Sequence, residues 1–244
     1  MIYYQSRLIR TRGSVVERSV HIGEVRGSIP LASKFIYMAS PITHIALADK
    51  VFNKFFSDKN RKDFFIGTVF PDIRYLGCIK REETHLSKIN LKDVQDEKNS
   101  FMAGFKFHSL VDIVNARFIY SGIFLNFYPQ YYLAIDFVED ELFYNKVNDW
   151  DKIINFFKDI LPEEKNFNII IKNTDLEKIH QIIQNNFCET PNNKNRYDLI
   201  RAINFPEDII SKILVATDEL KKNKKAIEAV ENFYNNFESL LINN

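Results

Sequence analysis

Apolar residues recur at helical spacing through most of the chain. In the segment His44–Phe56 the apolar positions Ile45, Ala48, Val51, Phe52 and Phe55 fall three or four residues apart, as one buried helix face requires. Ser40 and Thr43 offer hydroxyl oxygens to its N-terminus. Phe64–Phe70 reads as a short helix closed by Pro71, whose ring removes a donor and crowds the preceding turn. Asp72–Asn99 is polar and irregular, which predicts a long loop or several short helices. Phe101–Ile119 predicts a strong helix, with Leu110, Val111 and Val114 for packing, and Tyr131–Val147 the next, after Pro129. Further helices are expected over 151–160, 175–187, 196–203 and 207–241, the last with the charged run Lys221–Lys225 as its candidate break. No segment repeats another.

Composition narrows the fold class. The chain has 244 residues, enough for a sizeable core. Seven glycines and seven prolines are too few for the turns of a β-sandwich or barrel. The expectation is an all-α, multi-helix bundle. Its helical metal-binding part is expected to span 38–150, with additional C-terminal helices, 151–244, packing on it. A net charge of +1 provides no global field for nucleic acid or an acidic membrane. No apolar run is long enough to predict a transmembrane segment. Cys78 and Cys188 form neither a metal motif nor a disulfide framework, and no secretory signal pattern is seen, so the expected location is cytoplasmic.

Residues 1–37 are set apart. Gly13 to Ser33, GSVVERSVHIGEVRGSIPLAS, resembles the peptide obtained when a bacterial tRNA gene is translated by mistake. Met38 then opens MASPITHIALADKVF and is the expected natural start. The upstream segment is expected to be a disordered or spurious extension outside the fold.

The chemistry concentrates in a few residues. Of five histidines, His44, His85 and His108 lie close in sequence and near carboxylates. His108 and Asp112 form HxxxD, and residues four apart on a helix project from one face, where an imidazole and a carboxylate can share an ion. Asp72 follows Pro71 at a predicted helix end, and His85 follows Thr84 in the polar stretch. Each piece alone is unspecific, since HxxxD also serves as a helix-stabilising pair and a lone buried histidine usually belongs to the core. Together, imidazoles and carboxylates can satisfy a four-coordinate zinc. None of the five histidines is followed directly by Asp, which ranks an HD-type phosphohydrolase last. His180 and Trp150 are assigned to packing or surface.

The segments THIALADKVF, FFIGTVFPDIR, the pair Thr84–His85 and AGFKFHSLVD occur in the order seen in zinc-dependent phospholipase C domains. The chain thus resembles that family, which is related to the single-strand-specific fungal nucleases, over roughly Met38 to Phe143. The most specific part is GxxFPD, then TH, then GxxxHxxxD. The resemblance implies that Asp72, His85, His108 and Asp112 hold one metal and that Asp112 bridges to a second, which also takes His44. It departs from the family where a third site would be: Phe118 and Tyr132 stand at two histidine positions, leaving Asp136, alone or with Asp140, as weak ligands.

The implied function is a metal-dependent phosphoester hydrolase in which a metal-bound water attacks phosphorus, acting on a phosphoester small molecule or phospholipid head group. One or two zinc ions are expected, although carboxylate-rich ligation also suits Mn or Fe. Asp72 or Asp136 would orient the water as catalytic carboxylates. Arg74 and Arg81 are candidate phosphate-binding residues, because guanidinium presents a planar fork to phosphate. The aromatic run Phe118, Tyr120, Phe124, Phe127, Tyr128, Tyr131 and Tyr132 is expected to serve the core, or else a lipid or base pocket. The alternative function is a degenerate relative that holds metal structurally and acts as a binding module. An open cleft above Asp112 separates the two, because catalytic zinc keeps a free position.

Overall fold

The computed structural model describes residues 40–76, 79–119, 129–166, 171–202 and 205–244. The expectations for residues 1–37, and for Tyr120, Phe124, Phe127 and Tyr128, lie outside them, as do the side chains of Tyr131 and Tyr132. Among the described residues the fold is all-α, with no strand, and no helix is long and apolar enough to cross a membrane.

The first helices are α1 (Pro41–Phe55), α2 (Arg61–Val69), α3 (Arg81–Thr84), α4 (Leu91–Gln95), α5 (Ser100–Ile119) and α6 (Pro129–Tyr144). The chain continues through α7 (Trp150–Phe156), α8 (Pro162–Asn166), α9 (Asn173–Phe187), α10 (Asn193–Ala202), α11 (Glu207–Leu220) and α12 (Lys224–Ile242). Ser40 is the N-cap of α1, and Pro41 takes the first turn, where its missing N–H costs nothing. The α-helix stops at Val69, just before Pro71, as expected, but the chain does not turn into a loop there. Pro71 sits inside a 3-10 segment, Phe70–Leu76, that follows α2 directly. The expected interruption near Lys221–Lys225 separates α11 from α12, and Asn223 caps α12. The short α8 has no counterpart in the sequence reading.

One aromatic core spans both halves of the chain. Phe107 of α5 lies 5.4 Å from Phe56, 5.5 Å from Phe64 of α2 and 6.3 Å from Phe237 of α12, in tilted or edge-on geometries that aromatic pairs favour. The stripe Ala226, Val230, Phe233, Phe237 and Leu241 of α12 is buried at helical spacing, and α7, α9, α11 and α12 all place side chains in the core of the preceding part. Trp150 stacks on Tyr144 at 4.7 Å and donates its indole N–H to the Tyr144 carbonyl. His180 is buried and bonded at both nitrogens, to the Phe157 carbonyl at 3.0 Å and to Glu164 Oε1 at 2.6 Å.

Helices α2 and α5 cross with backbone against backbone, and two glycines make it possible. A Cβ on Gly67 would stand 2.0 Å from the Phe101 carbonyl oxygen, and one on Gly104 would stand 1.9 Å from that of Phe64. Both obstacles are backbone and cannot rotate away. Gly104→Ala should therefore destabilise the protein by roughly 3 kcal/mol through overpacking, although at an unhindered helix position the same change would stabilise by about 1 kcal/mol. Urea unfolding of the two proteins checks this, and an unchanged or higher midpoint for the variant would refute the close crossing.

Candidate metal centre

The α2–α5 crossing leads directly into the site. His108 lies one turn beyond Gly104 on α5, and its Nδ1 stands 2.9 Å from the carbonyl of Thr68, which follows Gly67. That carbonyl lies in the last turn of α2, where helix carbonyls lose their intrahelical partners. It accepts the Nδ1–H, so Nε2 carries the lone pair and faces inward, as in metal-binding histidines oriented by a backbone oxygen. His85 is fixed similarly. Its Nδ1 lies 2.8 Å from Thr84 Oγ1, and that hydroxyl donates to the Arg81 carbonyl at 3.3 Å, which leaves Nδ1 to donate and Nε2 free to ligate. Next to it, the Leu86 N–H bonds Ser109 Oγ at 3.0 Å and ties this loop to α5.

The two imidazole Nε2 atoms are 3.1 Å apart. Asp112 Oδ2 is 3.4 Å from His85 Nε2 and 3.8 Å from His108 Nε2. Zinc–nitrogen bonds near 2.0–2.1 Å in a tetrahedron place neighbouring donors about 3.3 Å apart, so these three atoms are spaced as ligands of one ion. Asp72 Oδ1 follows at 3.9 Å from His108 Nε2. The other carboxylate oxygen of Asp112 turns to His44, with Oδ1 3.5 Å from His44 Nε2. Asp112 thus offers one oxygen to each side, the arrangement of a bridging carboxylate. His44 also stacks on His108 with ring centroids 3.9 Å apart. The five residues sort into two overlapping ligand groups, His44–Asp72–His108 and His85–His108–Asp112.

Several of these polar atoms are buried without a hydrogen bond: both ring nitrogens of His44 and both carboxylate oxygens of Asp72. Leaving them so costs about 1–3 kcal/mol per group, more if charged, unless a cation answers them. Burial pushes the Asp72 carboxyl up to about 7, against the pull of His44 and the two arginines. Burial also lowers His85, and it lowers His108 well below the usual range with help from His44, so both rings remain neutral and able to ligate. Burial would raise Asp112 too, but His108, His44 and His85 around it outweigh that and hold it well below the usual carboxylate range. The donor set therefore fits zinc: the neutral imidazoles of His85 and His108, one ionised carboxylate and one that ionises on binding.

The two arginines differ. Arg81 Nη2 stands 3.6 Å from Asp112 Oδ2, and its Nη1 is buried with no hydrogen bond. Arg74 donates to Tyr75 Oη at 2.8 Å and packs its guanidinium 4.4 Å above that ring. Arg81, His85 and Asp112, with Ser87 and Ser109, line an opening of about 240 Å³. Asp136 is buried and lines a different cavity, together with Asp72. Asp140, considered with Asp136 as a weak ion ligand, is engaged elsewhere: it accepts from Ser40 Oγ and from the Thr43 N–H and hydroxyl, each Thr43 bond at 3.1 Å. Phe118 packs 5.7 Å from Phe233 in the core.

Sequence reasoning missed the supports. Glu139 is fully buried and accepts twice from Asn115 Nδ2, at 3.1 and 2.9 Å, and Asp140 fastens the start of α1 next to His44. Acids at 136, 139, 140 and 141 within the mostly apolar helix α6 were the available signal.

Metal loading should be linked to pH through Asp72. Its raised folded-state value means the metal-free fold holds the proton more tightly than the unfolded chain, so that fold loses stability as pH rises from 3.8 to about 7. A metal removes the proton and reverses this loss. The rise in Tm on adding zinc should be larger at about pH 7.5 than at about pH 5.5, and Asp72→Asn should flatten the difference. Equal shifts at both pH values in the unsubstituted protein would exclude Asp72 as a ligand. No family model, curated protein or solved structure matches the chain.

Proposed function

We propose that the chain is a metal-dependent phosphoester hydrolase of the zinc-dependent phospholipase C type, with one or two zinc ions held by His44, Asp72, His85, His108 and Asp112. The observation that carries this reading is the split of Asp112: Oδ2 lies among His85 and His108 while Oδ1 faces His44. A bridging carboxylate between two imidazole groups is what a dinuclear phosphoesterase needs, and the motif order GxxFPD, TH, GxxxHxxxD supports the family.

Zinc bound there would supply Lewis acidity toward a phosphoryl oxygen and would acidify a water toward neutrality. The chain's own residues do the rest. Arg81 stands at the opening beside Asp112 and binds a phosphate oxygen through its half-exposed guanidinium. Arg74, committed to Tyr75, contributes positive charge rather than a direct contact. Asp72, ionised once a metal is bound, and Asp136 across the shared cavity would orient the attacking water. The packing of Phe118 in the core supports a mono- or dinuclear centre over a trinuclear one.

The opening at Asp112 and His85 favours catalysis over a closed structural metal, because a catalytic ion needs a reachable coordination position. The zinc-loaded protein should hydrolyse bis(4-nitrophenyl) phosphate or a phospholipid head group. Asp112→Asn should lower kcat/KM by about a thousandfold. Arg81→Ala should lower it by roughly tenfold to a hundredfold, and Arg81→Lys should restore part of it. Turnover is read by release of nitrophenolate or phosphorylated head group. Stoichiometric zinc with no hydrolysis of any phosphoester would leave the structural-metal alternative standing.

A further inference from the structure

The candidate centre is bounded by a second, mostly apolar cavity that the phosphate chemistry does not use. It measures about 70 Å³ and is walled chiefly by aliphatic and aromatic side chains of α6, α9 and α10, among them Ile183 and Leu199. A water occupies about 30 Å³ of liquid volume and a benzene ring needs a cavity of about 150 Å³, so this space takes a group the size of about two waters, a short alkyl chain rather than a ring. Two of its lining residues are Asp72 and Asp136, which places it against the reacting end of the site. A third polar residue is Asn186, only 7% exposed, whose Nδ2 has no hydrogen bond. A buried amide donor left without an acceptor costs about 1–3 kcal/mol, a defect that an occupant's oxygen would repair. Ile182, Asn186 and Leu199 also line a neighbouring space of about 310 Å³ that includes Lys194 and Asp198, so these three side chains form the wall between the apolar cavity and a more polar groove of α9 and α10.

We infer that this cavity binds the apolar substituent of the substrate, a short alkyl phosphoester with an oxygen that accepts from Asn186. The assignment rests on the phosphoester reading above and adds the class of ester. It also gives the C-terminal helices a function: α9 and α10 supply the wall that selects the substituent. A phosphate alone has no use for an apolar wall of this kind. A two-chain lipid would leave most of its tails outside so small a space.

Two phosphonates that resist hydrolysis test it on the zinc-loaded full chain by titration calorimetry. Propylphosphonate should bind about tenfold more tightly than methylphosphonate, from the two further methylene-sized groups it buries. Leu199→Trp should bring that ratio close to one. Leu199→Ala should move the preference toward the longer pentylphosphonate, an opposite shift that general damage to the fold would not produce. Circular dichroism and zinc content report whether each variant has folded. Equal binding of the two phosphonates by the unsubstituted protein would overturn the cavity assignment and leave the phosphoesterase reading in place. Binding of neither, with zinc present, would overturn both.

Discussion

The close crossing of α2 and α5 is the constraint on which the site depends. Two helices approach until backbone meets backbone, and only Gly67 and Gly104 leave room for it. The approach brings the terminal carbonyls of α2 within reach of side chains on α5. Thr68 then fixes the His108 ring, His108 sets the position of the cluster, and Asp112 follows one turn later on the same face. Helix carbonyls at a C-terminus carry partial negative charge, so this one also favours the Nδ1–H that keeps Nε2 open. Packing, hydrogen bonding and ligand orientation here are consequences of two missing Cβ atoms.

Much of this was legible in the sequence because it is local. The helical repeat of Ile45, Ala48, Val51 and Phe52 gives α1, and the spacing of His108 and Asp112 puts both on one face without any knowledge of the fold. The two glycines also stand inside the quoted motifs, GxxFPD and GxxxHxxxD, but the spacing alone does not say that they meet. What was not legible is long-range. Asp140 lies 100 residues from the Ser40 hydroxyl it binds, and Glu139 lies 24 from Asn115. Nor does local sequence reveal that Arg74, beside the PD motif, turns to Tyr75 while Arg81 faces Asp112. The 3-10 path through Pro71 is a further case: proline breaks an α-helix, yet a tighter turn tolerates it and delivers Asp72 to the cluster.

Helix α6 is the second organiser. Burial pushes Asp140 up to about 6 and Glu139 up to about 8, the latter also raised by Asp140 and Asp112. Both are held nonetheless: Asp140 by the first turn of α1, Glu139 by Asn115 of α5. Adjacent acids on α6 therefore grip, in turn, the helix that carries His44 and the helix that carries His108 and Asp112. Replacing such groups by apolar residues would often be neutral for stability. Their worth here is geometric, since each fixes the rotation of a ligand-bearing helix.

The molecule contains its own comparison for what a buried histidine means. His180 is a structural histidine: one nitrogen bonds the Phe157 carbonyl, the other bonds Glu164, and nothing is left to satisfy. His44 is buried just as deeply and has no hydrogen bond at either nitrogen. His85 and His108 each spend one nitrogen on an orienting oxygen and point the other at each other. Two imidazole lone pairs at 3.1 Å repel unless a proton or a cation lies between them. A shared proton requires charge on rings that burial keeps neutral. A cation removes the repulsion and gives the buried, unbonded edges of His44 and Asp72 a partner in the same step. Within one fold, then, the histidine whose bonds are complete belongs to packing, and the three whose bonds are incomplete converge on the place where a metal would complete them.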